Sequence, residues 1–86
     1  MEVGKRYYLI MHAYYHFVGE VEEVLGPKTV RLRNVCQVHS CRRNWTEFFA
    51  KGFAKDTQYD VWPDGFTVTA LSFVEWPHDI PTKRSQ

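Results

Sequence analysis

Cysteine is scarce in this 86-residue chain, with Cys36 and Cys41 the only two. Two thiols do not make a disulfide framework, and in a reducing compartment they stay as thiols. A Cys36-x-x-His39-x-Cys41 arrangement supplies three zinc ligands without a fourth and matches no common structural spacing. The expectation is therefore no metal and no cofactor. Long apolar runs are also missing. The longest candidate, residues 7–11, is followed at once by His12, far short of the ~20 residues of a membrane span. The opening Met1-Glu2-Val3-Gly4-Lys5 has no charged-then-apolar layout, so the expected setting is the cytoplasm, with no membrane partner. Charge of one sign is not in excess either. Eleven Lys and Arg stand against ten Asp and Glu, a net charge of +1, which argues against a dedicated nucleic-acid binder.

Catalytic motifs are the next absence. The chain holds no Gly-rich phosphate loop followed by Lys and Ser or Thr, no nucleophile elbow around a serine, and no helical His pair at metal spacing. His12 and His16 fall in extended chain, where four residues separate them by about 13 Å, too far to share a metal. A His39 and Cys41 dyad has no base-orienting partner or oxyanion motif beside it. The expected protein is not an enzyme.

Aromatic residues are what the chain has in quantity, at 16%. A short chain forms a marginal core, and each aromatic ring can bury on the order of 150–250 Å². The same residues are enriched at subunit interfaces, so a homo-oligomer is expected. One β-rich domain over residues 1–81 and a polar tail over residues 82–86 account for the whole length.

Residues 5–14 read as a strand with large groups on both faces, Tyr7, Leu9 and Met11 on one and Tyr8, Ile10 and His12 on the other. Residues 17–25 read as a second strand, with Phe17, Val21 and Leu25 inward and Glu20 and Glu22 outward. Gly19 marks a bulge or a close backbone approach. Gly26-Pro27-Lys28 is a turn, and residues 29–39 are a third strand. In it Val30, Leu32, Cys36 and Val38 alternate with Arg31, Arg33, Gln37 and His39, and Asn34 signals a kink or bulge. Asn44 followed by Glu47 approximates a capping box. Trp45, Phe48 and Phe49 have helical spacing, and Gly52 closes the helix. Residues 59–62 form a fourth strand, Pro63-Asp64-Gly65 a turn, and residues 66–76 a fifth strand. The fold class is α+β, mainly β: a five-stranded antiparallel sheet with the helix on one face, or a curled small barrel, in the order β-β-β-α-β-β.

Two places carry recognition chemistry. The segment from His39 to Trp45 joins His39, Arg42, Arg43, Asn44 and Trp45 between a strand and a helix start. Arg grips phosphate with a bidentate fork, and an indole stacks on a base, so a small anionic nucleotide fits best. The second place is the Tyr14-Tyr15-His16 turn, where adjacent aromatics cannot all reach one core. Arg31 and Arg33 either form a phosphate-facing stripe or pair with Glu20 and Glu22 across the hairpin; pairing needs no ligand and is favoured.

The tyrosine-rich first strand, Phe17-Val18-Gly19-Glu20, Val30-Arg31-Leu32-Arg33-Asn34-Val35, the aromatic helix closed by Gly52 and the terminal Val74-Glu75-Trp76-Pro77 together resemble a family of short tailed-phage proteins with no assigned function. The resemblance spans about residues 7–81 and departs at the basic pair Arg42-Arg43. It implies a phage-encoded protein acting in the host cytoplasm and brings no catalytic residues. By analogy with small oligomeric phage sponges, it implies an anti-defence role in which a nucleotide immune signal is sequestered. Two alternatives stand beside this: an inhibitor or adaptor acting on a host defence protein, and a single-strand nucleic-acid binding module.

Overall fold

The computed structural model describes residues 1–12, 15–41 and 44–81. Its elements are β1 (Arg6–Ile10), β2 (His16–Val24), β3 (Thr29–Ser40), α1 (Trp45–Lys51), β4 (Gln58–Trp62), β5 (Phe66–Thr69) and β6 (Ser72–Glu75). The order of three strands, one helix and then strands is the expected one, and every pairing is antiparallel. The strand count is six rather than five. The expected fifth strand breaks at Ala70 and Leu71, because its two halves serve different neighbours. β5 pairs with β3 and β6 with β1; between them, Ala70 N–H donates to Lys28 O at 2.9 Å and Leu71 N–H to Ile10 O at 2.8 Å. The sheet runs β4-β3-β2-β1-β6, with β5 also on β3. It curls but does not close, so of the two expected architectures the open sheet is the one formed.

Bulges decide which side chains share a face. Val18 is opposite Cys36 and Glu20 opposite Arg33, so Gly19 alone faces both Asn34 and Val35. Asn34 carries the extra residue with a positive φ of 51°, a conformation that Asn tolerates better than most residues. A Cβ on Gly19 would lie 3.1 Å from Leu32 Cδ1, so the close approach expected there is real. The extra residue reverses the alternation of β3. Val30, Leu32 and Val35 join one core cluster, whereas Val38 joins another; the single apolar row read from the sequence is split in two.

The first cluster packs Tyr7 and Leu9 of β1, Phe17 and Val21 of β2, and Val68 and Ala70 beside the β3 residues. The second lies under the helix and gathers Tyr8, Val18, Val38, Cys41, Phe48 and Trp76. β1 is thus covered on both faces, as its sequence implies. Seven residues are too few for a stable isolated helix, so α1 is held by its packing. Phe48 and Trp76, both buried, sit 5.2 Å apart between ring centroids. At the helix start Glu47 N–H donates to Asn44 Oδ1 at 2.7 Å, which is the expected cap.

Candidate functional site

The tight turn after β4 builds the most distinctive surface feature. β4 and β5 run in the same direction along one edge of β3, and Pro63-Asp64-Gly65 is the short turn between them, with Gly65 at φ 89°. It is tied to the β3 bulge, because Gly65 N–H donates to Leu32 O at 2.8 Å and Asn34 N–H to Asp64 Oδ1 at 2.9 Å. Trp62, opposite Val35, ends one strand and Phe66, opposite Leu32, starts the next along the same edge of β3, and their rings lie 4.7 Å apart. Phe17 reaches the pair from β2, 5.2 Å from Phe66 and 5.9 Å from Trp62.

These three rings and Met11 wall an open groove of about 590 Å³. Its polar groups come from His12, Tyr15, Gln37 and Thr69. Gln37 stands opposite Phe17 on β2 and opposite Asp60 on β4, which fixes its position in the sheet. Its amide offers both donors and an acceptor. Tyr15 is exposed, at 55% of its surface. A concave, mainly apolar site with a few placed polar groups is the usual form of a small-molecule pocket. These rings suit a flat aromatic ligand, held by stacking and by edge-to-face contact.

The two recognition sites read from the sequence meet in an unforeseen way. Tyr15 lines the groove, but His16 turns to the helix side, since neighbouring residues of extended chain face opposite ways. There its ring stacks on Trp45, with centroids 3.7 Å apart and planes within 4°. His16 therefore occupies one face of the indole that the sequence suggested for a ligand base. His16 Nδ1 also lies 2.5 Å from the Tyr8 hydroxyl. Burial holds the His16 pKa below its ordinary value, which favours the neutral imidazole. Burial, with a smaller contribution from Cys41, pushes Tyr8 up to about 12.

His39 is the extra residue of a bulge, since Val38 faces Tyr59 and Ser40 faces Gln58. Its Nε2 sits 2.7 Å from Asp60 Oδ2. Tyr14, Arg42 and Arg43 lie outside the described residues. Cys41 lies between β3 and α1 and is buried in the helix-side cluster. Cys36 is buried too; its thiol donates to Pro81 O at 3.1 Å, and burial pushes its pKa up to about 12. Such a thiol stays protonated and unreactive at neutral pH. Among the described residues no three His, Cys, Asp or Glu side chains gather to hold a metal ion, and no helix is long and apolar enough to cross a membrane.

Arg31 and Arg33 pair across the hairpin. Arg33 Nη2 donates to Glu20 Oε2 at 2.6 Å and Nε to the same oxygen at 3.1 Å. Arg31 bonds Glu23 rather than the expected Glu22. The reason is a second bulge: Val21 faces Leu32 and Glu23 faces Arg31, which leaves Glu22 as the extra residue.

Sequence reasoning missed Phe17, Gln37, Trp62 and Phe66 as site residues. One signal was available: Trp62 and Phe66 flank the short Pro63-Asp64-Gly65 turn, which keeps the two aromatics near each other in the chain. Compared with known proteins, the chain matches no family model, no curated protein and no solved structure.

Proposed function

We infer that this is a non-enzymatic binding protein for a small planar aromatic ligand, and that the ligand is a nucleotide whose base enters the groove. The supporting observation is the nest of Phe17, Trp62 and Phe66 around a cavity of about 590 Å³, with the Gln37 amide among its polar groups. Base stacking on aromatic side chains is worth about 1–3 kcal/mol per base, and an amide reads a base edge through paired donor and acceptor. In this reading Arg42 and Arg43 supply the phosphate contacts, and Tyr15 covers the base from the rim. A phage-encoded sponge for an immune nucleotide is the biological form we propose for it, carried by the family resemblance of the sequence.

Calorimetric titration with a panel of mononucleotides, cyclic dinucleotides and cyclic ADP-ribose isomers tests this. The expected result is micromolar or tighter binding of one class. Trp62→Ala should weaken it by about tenfold or more, and Arg42→Ala with Arg43→Ala should weaken it in a salt-dependent way. No binding tighter than about millimolar across the panel, or binding unaffected by Trp62→Ala, contradicts the reading.

A further inference from the structure

The open side of β6 combines three properties that point to one occupant. The first is unpaired backbone. Among the described residues β6 is the end strand of the sheet order, with β1 paired on one side and no strand on the other. Trp76 N–H donates to Arg6 O at 2.9 Å, and Val74 stands opposite Tyr8. Alternate residues of an antiparallel strand turn their bonds the same way. Ser72, Val74 and Trp76 therefore bond towards β1, while the N–H and C=O groups of Phe73 and Glu75 point to the uncovered side.

The second property is apolar surface. Seven large hydrophobic residues are exposed among the described residues. Five of them lie in β6 and its surroundings: Leu71, Phe73 and Val74, with Val24 and Leu25 at the end of the β2–β3 hairpin. Ala70 N–H, bonded to Lys28 O at 2.9 Å, holds that hairpin end beside the strand. Exposed edge strands are ordinarily blunted by charge, by proline or by cover. β6 instead carries Phe73 and Val74 in a four-residue strand.

The third is charge of opposite sign at the two ends. Lys28 Nζ sits 3.3 Å from Leu71 O at the start of the edge, and Glu75, 63% exposed and 3.8 Å from Lys5 Nζ of its own chain, stands at its finish. An antiparallel partner with the same strand brings acid to base at both ends.

We propose that β6 pairs edge to edge with β6 of a second copy about a two-fold axis. The backbone phase restricts the register. Outward-facing residues must meet outward-facing residues, and only setting Phe73 against the partner's Glu75, with Val74 against the partner's Val74, engages both outward residues of each copy. That register forms four backbone hydrogen bonds, two from each copy. It also avoids the alternative in which Glu75 meets the partner's Glu75, where like charges repel. The pairing joins two sheets into one, and its strand shares no residue with the groove lining.

Sedimentation of the whole chain tests the pairing independently of any ligand. The expected species is a dimer of twice the 10.2 kDa chain mass, dissociating on dilution. Val74→Lys sets two like charges face to face in the dimer, while in the monomer its side chain is exposed at 48%. It should weaken association by about tenfold or more and leave the circular dichroism and melting of the monomer unchanged. In the wild type, amide exchange at Phe73 and Glu75 should slow as concentration rises, with Val74 unaffected. A wild-type monomer at about 100 µM, a dimer indifferent to Val74→Lys, or exchange at Phe73 and Glu75 independent of concentration overturns the proposal.

Discussion

Tyr8 and His16 show how burial ties ionisation to folding. The pair lies between the sheet and the helix, with Trp45 stacked on the imidazole. His16 has its pKa lowered by burial from an ordinary value of 6.5. Below that value the unfolded chain takes up a proton that the folded one resists. The contribution of His16 is therefore whole above pH 6.5 and is lost as pH falls from there through the lowered folded value. Tyr8 acts in the opposite direction. Its pKa rises from 10.0 to about 12, so its contribution is whole below pH 10.0 and is lost as pH climbs towards about 12. Denaturant midpoints measured across this range should show a plateau bounded by two falling limbs. His16→Gln, which keeps an acceptor but does not titrate, should flatten the limb just below pH 6.5 and leave the alkaline one. An unchanged acid limb in that variant would mean that other groups produce it.

Among the elements, the helix and the bulges differ in how much their sequences reveal. The Asn44 cap, the aromatic spacing and the Gly52 stop were all readable, because each is a local device with its own residue type. Gly52 has φ 81° and ψ −163°, a region essentially closed to other residues. A Cβ there would also stand 3.0 Å from His78 Cγ. Gly52→Ala should therefore cost about 1–3 kcal/mol, measured by chemical denaturation; a cost below about 0.5 kcal/mol would mean that the backbone relaxes freely. The bulges were only half readable. Gly19 and Asn34 advertised an irregularity, but not that the extra residue at Asn34 would send Val35 to one core and Val38 to the other. Glu22 gave no local signal at all, since the register that leaves it unpaired is set by contacts across the hairpin. The break at Ala70 and Leu71 is likewise a product of the curl, which gives one extended stretch two different neighbours.

At the scale of the whole molecule, the aromatics divide their work by face. Those on the helix side fill a core: Phe48 and Trp76 are buried, and Trp45 is covered by His16. Those on the other side, Phe17, Trp62 and Phe66, line the groove. Composition alone could not make this division, because a ring that binds and a ring that packs have the same chemistry. Tyr15 was identified from its position at a turn, whereas Trp62 and Gln37 became site residues only through pairing between distant strands. In the proposed function the groove receives a planar aromatic ligand. The indole N–H signals of Trp45, Trp62 and Trp76 followed by nuclear magnetic resonance during titration with the nucleotide panel test it most directly. Trp62 should shift on binding while buried Trp76 stays in place. A ligand that binds and moves Trp45 or Trp76 but not Trp62, or a panel that moves none of the three, would contradict it.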